Sequence, residues 1–394
     1  MSMMMEKIEI STADRIREAY AEHFGQAATR LFRSPGRINL IGEHTDYNQG
    51  FVLPASVDKA VYFALSPRSD ARVILHAVDL GATYAFDLHD LAKPADSWPY
   101  YQLGILDQLQ KNGYRIGGFQ AAFGSDLPVG AGMSSSAALE CCLLFALNEL
   151  FVLGLDRLAI VKMAQRAENE YVGVNCGIMD QFASVFGKAE SVIRLDCRSL
   201  EYEYFPFAMN EYLLVLCDTS VKHSLASSEY NTRRQECEAG VAILQKYQPD
   251  IQSLRDATPA LVEAHREELG EVIYRRCKYM TEEIRRVQEA CELLLRGDLV
   301  GFGAKMYQTH DGLQHEYEVS CEELDFLVEQ TRADSNVLGA RMMGGGFGGC
   351  TINLVRADAV EEFETYQKKA YFQAYGIPLP CYRVRITDGT GEIL

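Results

Sequence analysis

The chain has 394 residues, with 38 Lys plus Arg against 55 Asp plus Glu and a formal net charge of −17 at pH 7. That length gives room for two or three domains with real cores, and 48% hydrophobic with 24% charged residues excludes a disordered or fibrous chain. The acidic balance opposes broad nucleic-acid binding, whose affinity comes largely from neutralising phosphates, and leaves a small substrate with a local site.

In chain order, MSMMMEKIEI places Glu6 and Glu9 beside the methionines, so no apolar run of about 7 to 15 residues develops and no secretory signal is expected. Residues 13 to 24 read as an amphipathic helix, with Ile16, Tyr20 and Phe24 at steps of four. Strands are expected at 61 to 68, 72 to 79 and 119 to 126, with a helix at about 100 to 112. Two buried helices follow, from after Ser136 to about Leu150 and from about Asp156 to Tyr171. The apolar stretch 137 to 164 holds Glu140, Asn148, Glu149, Asp156 and Arg157, so it lacks the roughly 18 continuous apolar residues of a membrane span. These absences point to the cytoplasm.

Strands return at 192 to 197 and 212 to 220, helices dominate 228 to 333, and a strand, helix and strand at 350 to 355, 357 to 375 and 381 to 386 close the pattern. This is an α+β chain of two domains, with the junction expected near residues 199 to 207. Eleven cysteines occur without a C-x-x-C, so free thiols are expected. His310 and His315 are five apart, outside the spacing of a helical zinc pair. Any metal is therefore expected on oxygen ligands.

Four segments concentrate functional groups. Residues 34 to 50, SPGRINLIGEHTDYNQG, place Arg37 ahead of Glu43, His44, Thr45 and Asp46. A planar donor fork suits phosphate or carboxylate, and close carboxylates can discriminate the hydroxyls of a polyol; a Gly-bounded turn with capping Asp and Thr fits equally well. Residues 127 to 138, LPVGAGMSSSAA, put Gly130 and Gly132 ahead of three serines and a helix, either a phosphate cradle or a helix capped by Ser134. No lysine follows, which excludes the P-loop motif.

Residues 168 to 181, ENEYVGVNCGIMDQ, carry Glu168 on the helical face of Val161, pointing inward, and Asp180 between Met179 and Gln181. An inward carboxylate suits magnesium; Asp180 could align or accept a hydroxyl proton, or simply cap the following helix. Residues 341 to 350, RMMGGGFGGC, formally contain G-x-G-x-x-G but precede a strand, the wrong context for a dinucleotide site, so close packing against an active site or another backbone is the better reading.

Together, PGRINLIGEHTDYNQG, LPVGAGMSSSAA, NCGIMDQF and MMGGGFGGC, in this order, resemble the galactokinases of the GHMP small-molecule kinase family. SEYNTRR at 228 to 234 adds Tyr230, which matches a sugar-contacting tyrosine of that family. The resemblance implies an α+β two-domain fold: an N-terminal mixed sheet-and-helix domain like ribosomal S5 domain 2 over 1 to 203, and a ferredoxin-like domain over 204 to 394, with the active site between them. It implies ATP-dependent phosphorylation of D-galactose at its anomeric C1 hydroxyl, the entry step of galactose catabolism by the Leloir pathway.

By the same resemblance, Glu43, His44, Thr45, Asp46, Gly177 and Tyr230 bind the sugar. Gly130, Ala131, Gly132, Met133, Ser134, Ser135 and Ser136 wrap the ATP phosphates, with Met133 where leucine is more usual; Ser136 and Glu168 hold Mg2+. Asp180 orients the C1 hydroxyl and takes its proton, as base or as aligning acceptor, and Arg37 stabilises the transferred phosphoryl group. The expected partners are galactose and ATP, with no nucleic acid or membrane, on a monomer. A related kinase acting on N-acetylgalactosamine and a non-catalytic sugar sensor are the alternatives; the complete GAGMSSSAAL weighs against the sensor.

Overall fold

The computed structural model describes residues 10–128, 130–174, 176–209, 211–222 and 226–393; the expectation for the N-terminal methionines lies outside them. The first helix, Thr12–Phe24, is capped by Ser11, whose side chain accepts from the Asp14 amide, and buries Ile16 and Tyr20. It covers one face of a six-stranded sheet, with Leu31, Ala64 and Ala122 beneath it. The strand order is Gly391–Glu392, Arg30–Asn39, Pro54–Pro67, Phe119–Ser125, Arg72–Ala77, Ala82–Asp87. All pairs are antiparallel except Arg72–Ala77 with Phe119–Ser125.

Arg30–Asn39 is not among the expected strands, because RLFRSPGRIN contains three arginines before Ile38, a serine and a proline. It is nevertheless buried over most of its length. Pro35 is tolerated because the register with Pro54–Pro67 shifts between Pro35 and Arg37, and a bulge both accommodates proline and re-aims the side chain after it. Arg37 is thereby delivered from a core strand to the site.

On the opposite face, Ser135–Phe151 packs against the same strands, with Phe32 and Phe145 ring centroids 6.0 Å apart. The second expected helix runs Arg157–Arg166 and then widens into a π-helical turn, Ala167–Val172, an irregularity often found at functional sites. Glu168 lies in that turn and is buried, as its alignment with Val161 suggested. A three-stranded sheet, Phe51–Val52, Ser191–Asp196 and Tyr202–Pro206, follows; the expected 203/204 junction falls inside its last strand.

The second half is the βαββαβ arrangement of a ferredoxin-like domain. Its antiparallel sheet runs Val337–Met343, Gly348–Arg356, Tyr212–Lys222, Cys381–Val384. Helices including Ala226–Leu244, Arg266–Leu295, Leu299–His315 and Glu322–Glu329 separate its first two strands, and Val360–Tyr375 joins the last two. The end of the described chain crosses back to the first sheet, where Arg30 binds Glu392 through two hydrogen bonds of 2.7 and 2.6 Å. One apolar core runs through both halves, from Phe63 and Phe182 to Phe302 and Ile352. Among the described residues no helix is long and apolar enough to cross a membrane, all eleven cysteines are free, and His310 is buried and accepts the Met342 amide while His315 is exposed.

Candidate active site

The strand Arg30–Asn39 runs directly into the GEHTDYN loop. Thr45 is fully buried, and its hydroxyl donates to the Gly42 and Phe51 carbonyls at 3.0 and 2.6 Å. Thr45, expected among the sugar contacts, thus closes the turn and does not line the cavity. The flanking residues do. Arg37, Glu43, His44, Asp46, Gly177, Asp180 and Tyr230 share the wall of one cavity of about 480 Å³ with Cys176, Asn231 and the late glycines Gly344, Gly345 and Gly346. Seven residues separated by up to 193 positions in sequence thus meet at one cleft between the halves.

Glu43 is held rigidly. Its Oε1 accepts from Arg341 Nη2 at 2.9 Å and from the Gly344 amide at 2.8 Å. Arg341 is fully buried and also donates to the carbonyls of Leu40, Met342 and Asn39, so it ties the strand, the loop and the late glycines together. Gly42 is anchored by a second buried charge, the Glu283 carboxylate, which accepts its amide at 2.8 Å and is itself bound by Thr309 and Arg286. The sequence reading missed both residues. A signal existed for Glu283, which lies on one helical face with buried Met280 and Val287 at steps of three and four; Arg341 was overlooked because its segment was read for its glycines.

Asp46 packs on Gly177 so closely that a Cβ there would stand 2.0 Å from Asp46 Oδ2. Its carboxyl faces the cavity but is surrounded by protein; burial, helped by the charges of Asp180 and Glu43, pushes its pKa up to about 6. Burial pushes His44 down to about 4, against the opposing pull of Glu43, so its ring is neutral. Tyr230, on Ala226–Leu244, has its ring centroid 5.3 Å from that of His44, and burial beside Asp46 and Asp180 holds its phenol well above the usual value.

At the other end, Arg37 and Asp180 form a two-pronged pair, Nε to Oδ1 at 2.7 Å and Nη2 to Oδ2 at 2.9 Å. Burial alone would lower the guanidinium pKa, but Asp180, and beyond it Glu43 and Asp46, hold it above its ordinary value. Asp180 lies in the first turn of Met179–Phe186 without capping it. Ser134 donates its hydroxyl to Asp180 Oδ2, and Arg37 also donates to the Gly132 carbonyl. The capping alternative for Ser134 fails: its backbone is left-handed, φ 53°, and its side chain makes no capping bond. The strain and the bond to Asp180 both mark a residue placed for the site.

The loop itself turns through positive φ at Gly130 and Gly132 (85° and 70°) before Ser135–Phe151 begins. Gly130, Gly132 and Ser135 are exposed, Ala131 and Met133 buried, Ser134 and Ser136 between. Ala131 and Met133 therefore anchor the loop in the core, while the free amides of the helix start remain available to an anion. Ser136 hydrogen-bonds Glu168, whose carboxyl is pushed up by burial and by Asp180. Gln181 and Cys176 donate to Glu168 Oε2 at 2.8 and 3.4 Å.

The comparisons agree with this geometry. Residues 18–67 match the galactokinase galactose-binding signature, 101–188 the GHMP kinases N terminal domain and 290–371 the GHMP kinases C terminal model. A galactokinase of Roseiflexus sp. (strain RS-1) is 40% identical over 96% of this chain and 97% of its own. That of Thermotoga maritima is 41% identical over 92% and 99%. The crystal structure of Lactococcus lactis galactokinase complexed with galactose superposes with a TM-score of 0.92, at 36% identity, over 97% of this chain and all of that one. Methanococcus jannaschii mevalonate kinase, 16% identical with a TM-score of 0.67 over 91% of this chain and 98% of its own, shares the fold.

Proposed function

The chain belongs to the galactokinase family of GHMP kinases, and from that premise we propose that it transfers the γ-phosphoryl group of ATP to the C1 hydroxyl of D-galactose, giving α-D-galactose 1-phosphate and ADP. The observation that carries the reading is the Arg37–Asp180 pair with Ser134 upon it, standing where the sugar-sized cavity meets the glycine-serine loop.

Phosphoryl transfer asks the protein mainly for alignment and charge stabilisation. Glu43, with Oε1 saturated by Arg341 and Gly344, presents its other oxygen to a sugar hydroxyl; His44, Asp46 and Tyr230 supply further partners. Gly177 leaves the space in which Asp46 lies. Gly130 to Ser136 would hold the phosphates against the amides at the start of Ser135–Phe151. The C1 oxygen forms its bond to phosphorus as the bond from phosphorus to the ADP oxygen breaks, and the hydroxyl proton passes to Asp180. Arg37 and Ser134 hold the Asp180 carboxylate in one orientation, so Asp180 aligns the hydroxyl and takes its proton as the bond to phosphorus forms. Arg37 faces the charge on the transferred group.

The neighbourhood of Glu168 fits Mg2+. Glu140 and Glu168 stand together there, and burial with their neighbouring negative charges pushes both carboxyls up, an acidic setting that suits a hard cation. Among the described residues no cluster of three or more His, Cys, Asp or Glu could hold a metal alone, and magnesium commonly binds through one or two carboxylates plus substrate phosphates. Ser136 and Glu168 would hold it, and it would neutralise the phosphate oxygens.

The two units are read as 1 to 203 and 204 to 394. The chain is read as a monomer, and the free thiols among the described residues suit the cytoplasm. The test is ADP release with ATP and magnesium against galactose, glucose, N-acetylgalactosamine, homoserine and mevalonate in parallel. Turnover with galactose above all others is expected; turnover only with another acceptor, or none, overturns the proposal.

A further inference from the structure

Behind the sugar cavity lies a polar chain that the reaction above does not use. His44 Nδ1 is 2.8 Å from Tyr47 Oη, Tyr47 Oη is 2.7 Å from Tyr317 Oη, and Tyr317 Oη is 3.2 Å from Cys237 Sγ. Tyr317 is fully buried and Cys237 nearly so, within the apolar cluster that includes Leu244, Met280 and Leu313. These groups come from the GEHTDYN loop, from Ala226–Leu244 and from the segment after Leu299–His315, so only the folded chain assembles them.

A row of buried hydroxyls has a direction. Each carries one proton, and in a dry setting an unmatched donor or acceptor is costly, so every link points the same way. If protons point outward, Cys237 donates to Tyr317, Tyr317 to Tyr47 and Tyr47 to His44 Nδ1, which leaves the single proton of the neutral ring on Nε2. If they point inward, Nδ1 carries the proton and Nε2 is a bare acceptor.

The contacts of the His44 ring select the outward direction. The Gly345 carbonyl faces the His44 ring as an acceptor, while Nδ1 is occupied by Tyr47. His44 Nε2 itself is buried and makes no well-formed hydrogen bond among the described residues, and His44 and Gly345 both line the cavity.

We infer that Cys237, Tyr317 and Tyr47 form a hydrogen-bond relay that fixes His44 as its Nε2–H tautomer and so makes it a donor to a sugar oxygen. The three are positioning residues. A donor at this point rejects a ligand that offers it only a hydrogen, so the relay contributes to which sugar is accepted. The role assigned to His44 rests on the sugar reading of the cavity; the tautomer does not, and it is measured without sugar.

The test is a long-range ¹H–¹⁵N correlation spectrum of the free, ¹⁵N-histidine-labelled protein at pH 7, with His44 assigned by loss of its signals in His44→Gln. The expected result is a protonated Nε2 and a bare Nδ1. Tyr317→Phe removes the middle donor; it should convert His44 to a mixture or to the Nδ1–H form and raise the galactose KM about tenfold with kcat within twofold. Cys237→Ser keeps a donor at the end of the row and should retain both the tautomer and KM. A protonated Nδ1 in the unaltered protein, or a Tyr317→Phe tautomer identical to it, overturns the relay. If the tautomer responds and the KM does not, the relay stands as a structural feature and its role in sugar selection is refuted.

Discussion

Gly177→Ala and Gly345→Ala change the same cavity wall by the same single carbon and should behave in opposite ways. At Gly177 the new Cβ would meet Asp46 Oδ2 at 2.0 Å, whereas real Cβ contacts essentially never fall below 3.0 Å, so the carboxylate must retreat by about 1 Å. Its backbone cannot follow, because the turn is closed by Asn48 and Gly50 amides on the Thr45 carbonyl and by the Gln49 amide on that of Asp46. At Gly345 the nearest atom is Tyr230 Cδ2 at 3.7 Å, an ordinary contact. Hydrogen bonds to a charged acceptor contribute roughly 1.5–3 kcal/mol each. If Asp46 receives two from the sugar and the displacement weakens both, the loss is about 3 kcal/mol, or two powers of ten in galactose kcat/KM. The assay is steady-state kinetics with galactose varied at saturating ATP, with ADP affinity and thermal midpoint measured alongside. Gly345→Ala should stay within about twofold. A Gly177→Ala enzyme with a galactose KM within threefold of the parent, or equal losses in both variants, would refute the placement of Asp46 against the sugar.

Asp180→Asn keeps the shape but cannot take the proton, so turnover should fall by about 10³ or more while calorimetric galactose affinity changes only a few-fold; turnover within tenfold of the parent would reject both the aligning and the accepting role. Asp46 titrates near 6 in the folded protein against an ordinary 3.8. The folded chain therefore holds the extra proton between these values, and stability from this group falls as pH rises through that window. Protonation removes a charged acceptor, so galactose kcat/KM should fall tenfold per pH unit below about 6, and Asp46→Asn should abolish that inflection; an unchanged profile in the variant assigns the titration elsewhere. Glu168→Gln should raise the half-saturating magnesium concentration at fixed ATP at least tenfold, and should weaken Mn2+ binding to the enzyme–ATP complex read by electron paramagnetic resonance. Unaltered Mn2+ binding would remove Glu168 from the metal site.

The site was legible in the sequence where its functional groups are consecutive. Glu43, His44 and Asp46 stand in one loop, and the glycine-serine run announces its helix start. Thr45 looked equally functional, because sequence does not show that a hydroxyl is already committed to two carbonyls. Ser134 resembled an N-cap by residue type, yet the left-handed backbone sends its hydroxyl to Asp180, 46 positions away. Arg30–Asn39 escaped as a strand because a bulge absorbs its proline and its arginines find partners at Glu392 and Asp180. Arg341 and the Tyr47–Tyr317–Cys237 row were invisible, and Glu283 showed only that it faces inward, for a common reason. Each is a buried polar group whose partner lies far away in the chain, and periodicity reports only which way a side chain faces.

The most direct measurement is ³¹P and ¹H NMR of the product formed from ATP, magnesium and D-galactose by the purified protein. The account predicts one new phosphate resonance coupled to the α-anomeric proton, appearing in step with ADP. Phosphate on any other carbon, or ADP formed with free inorganic phosphate and unaltered galactose, would contradict it.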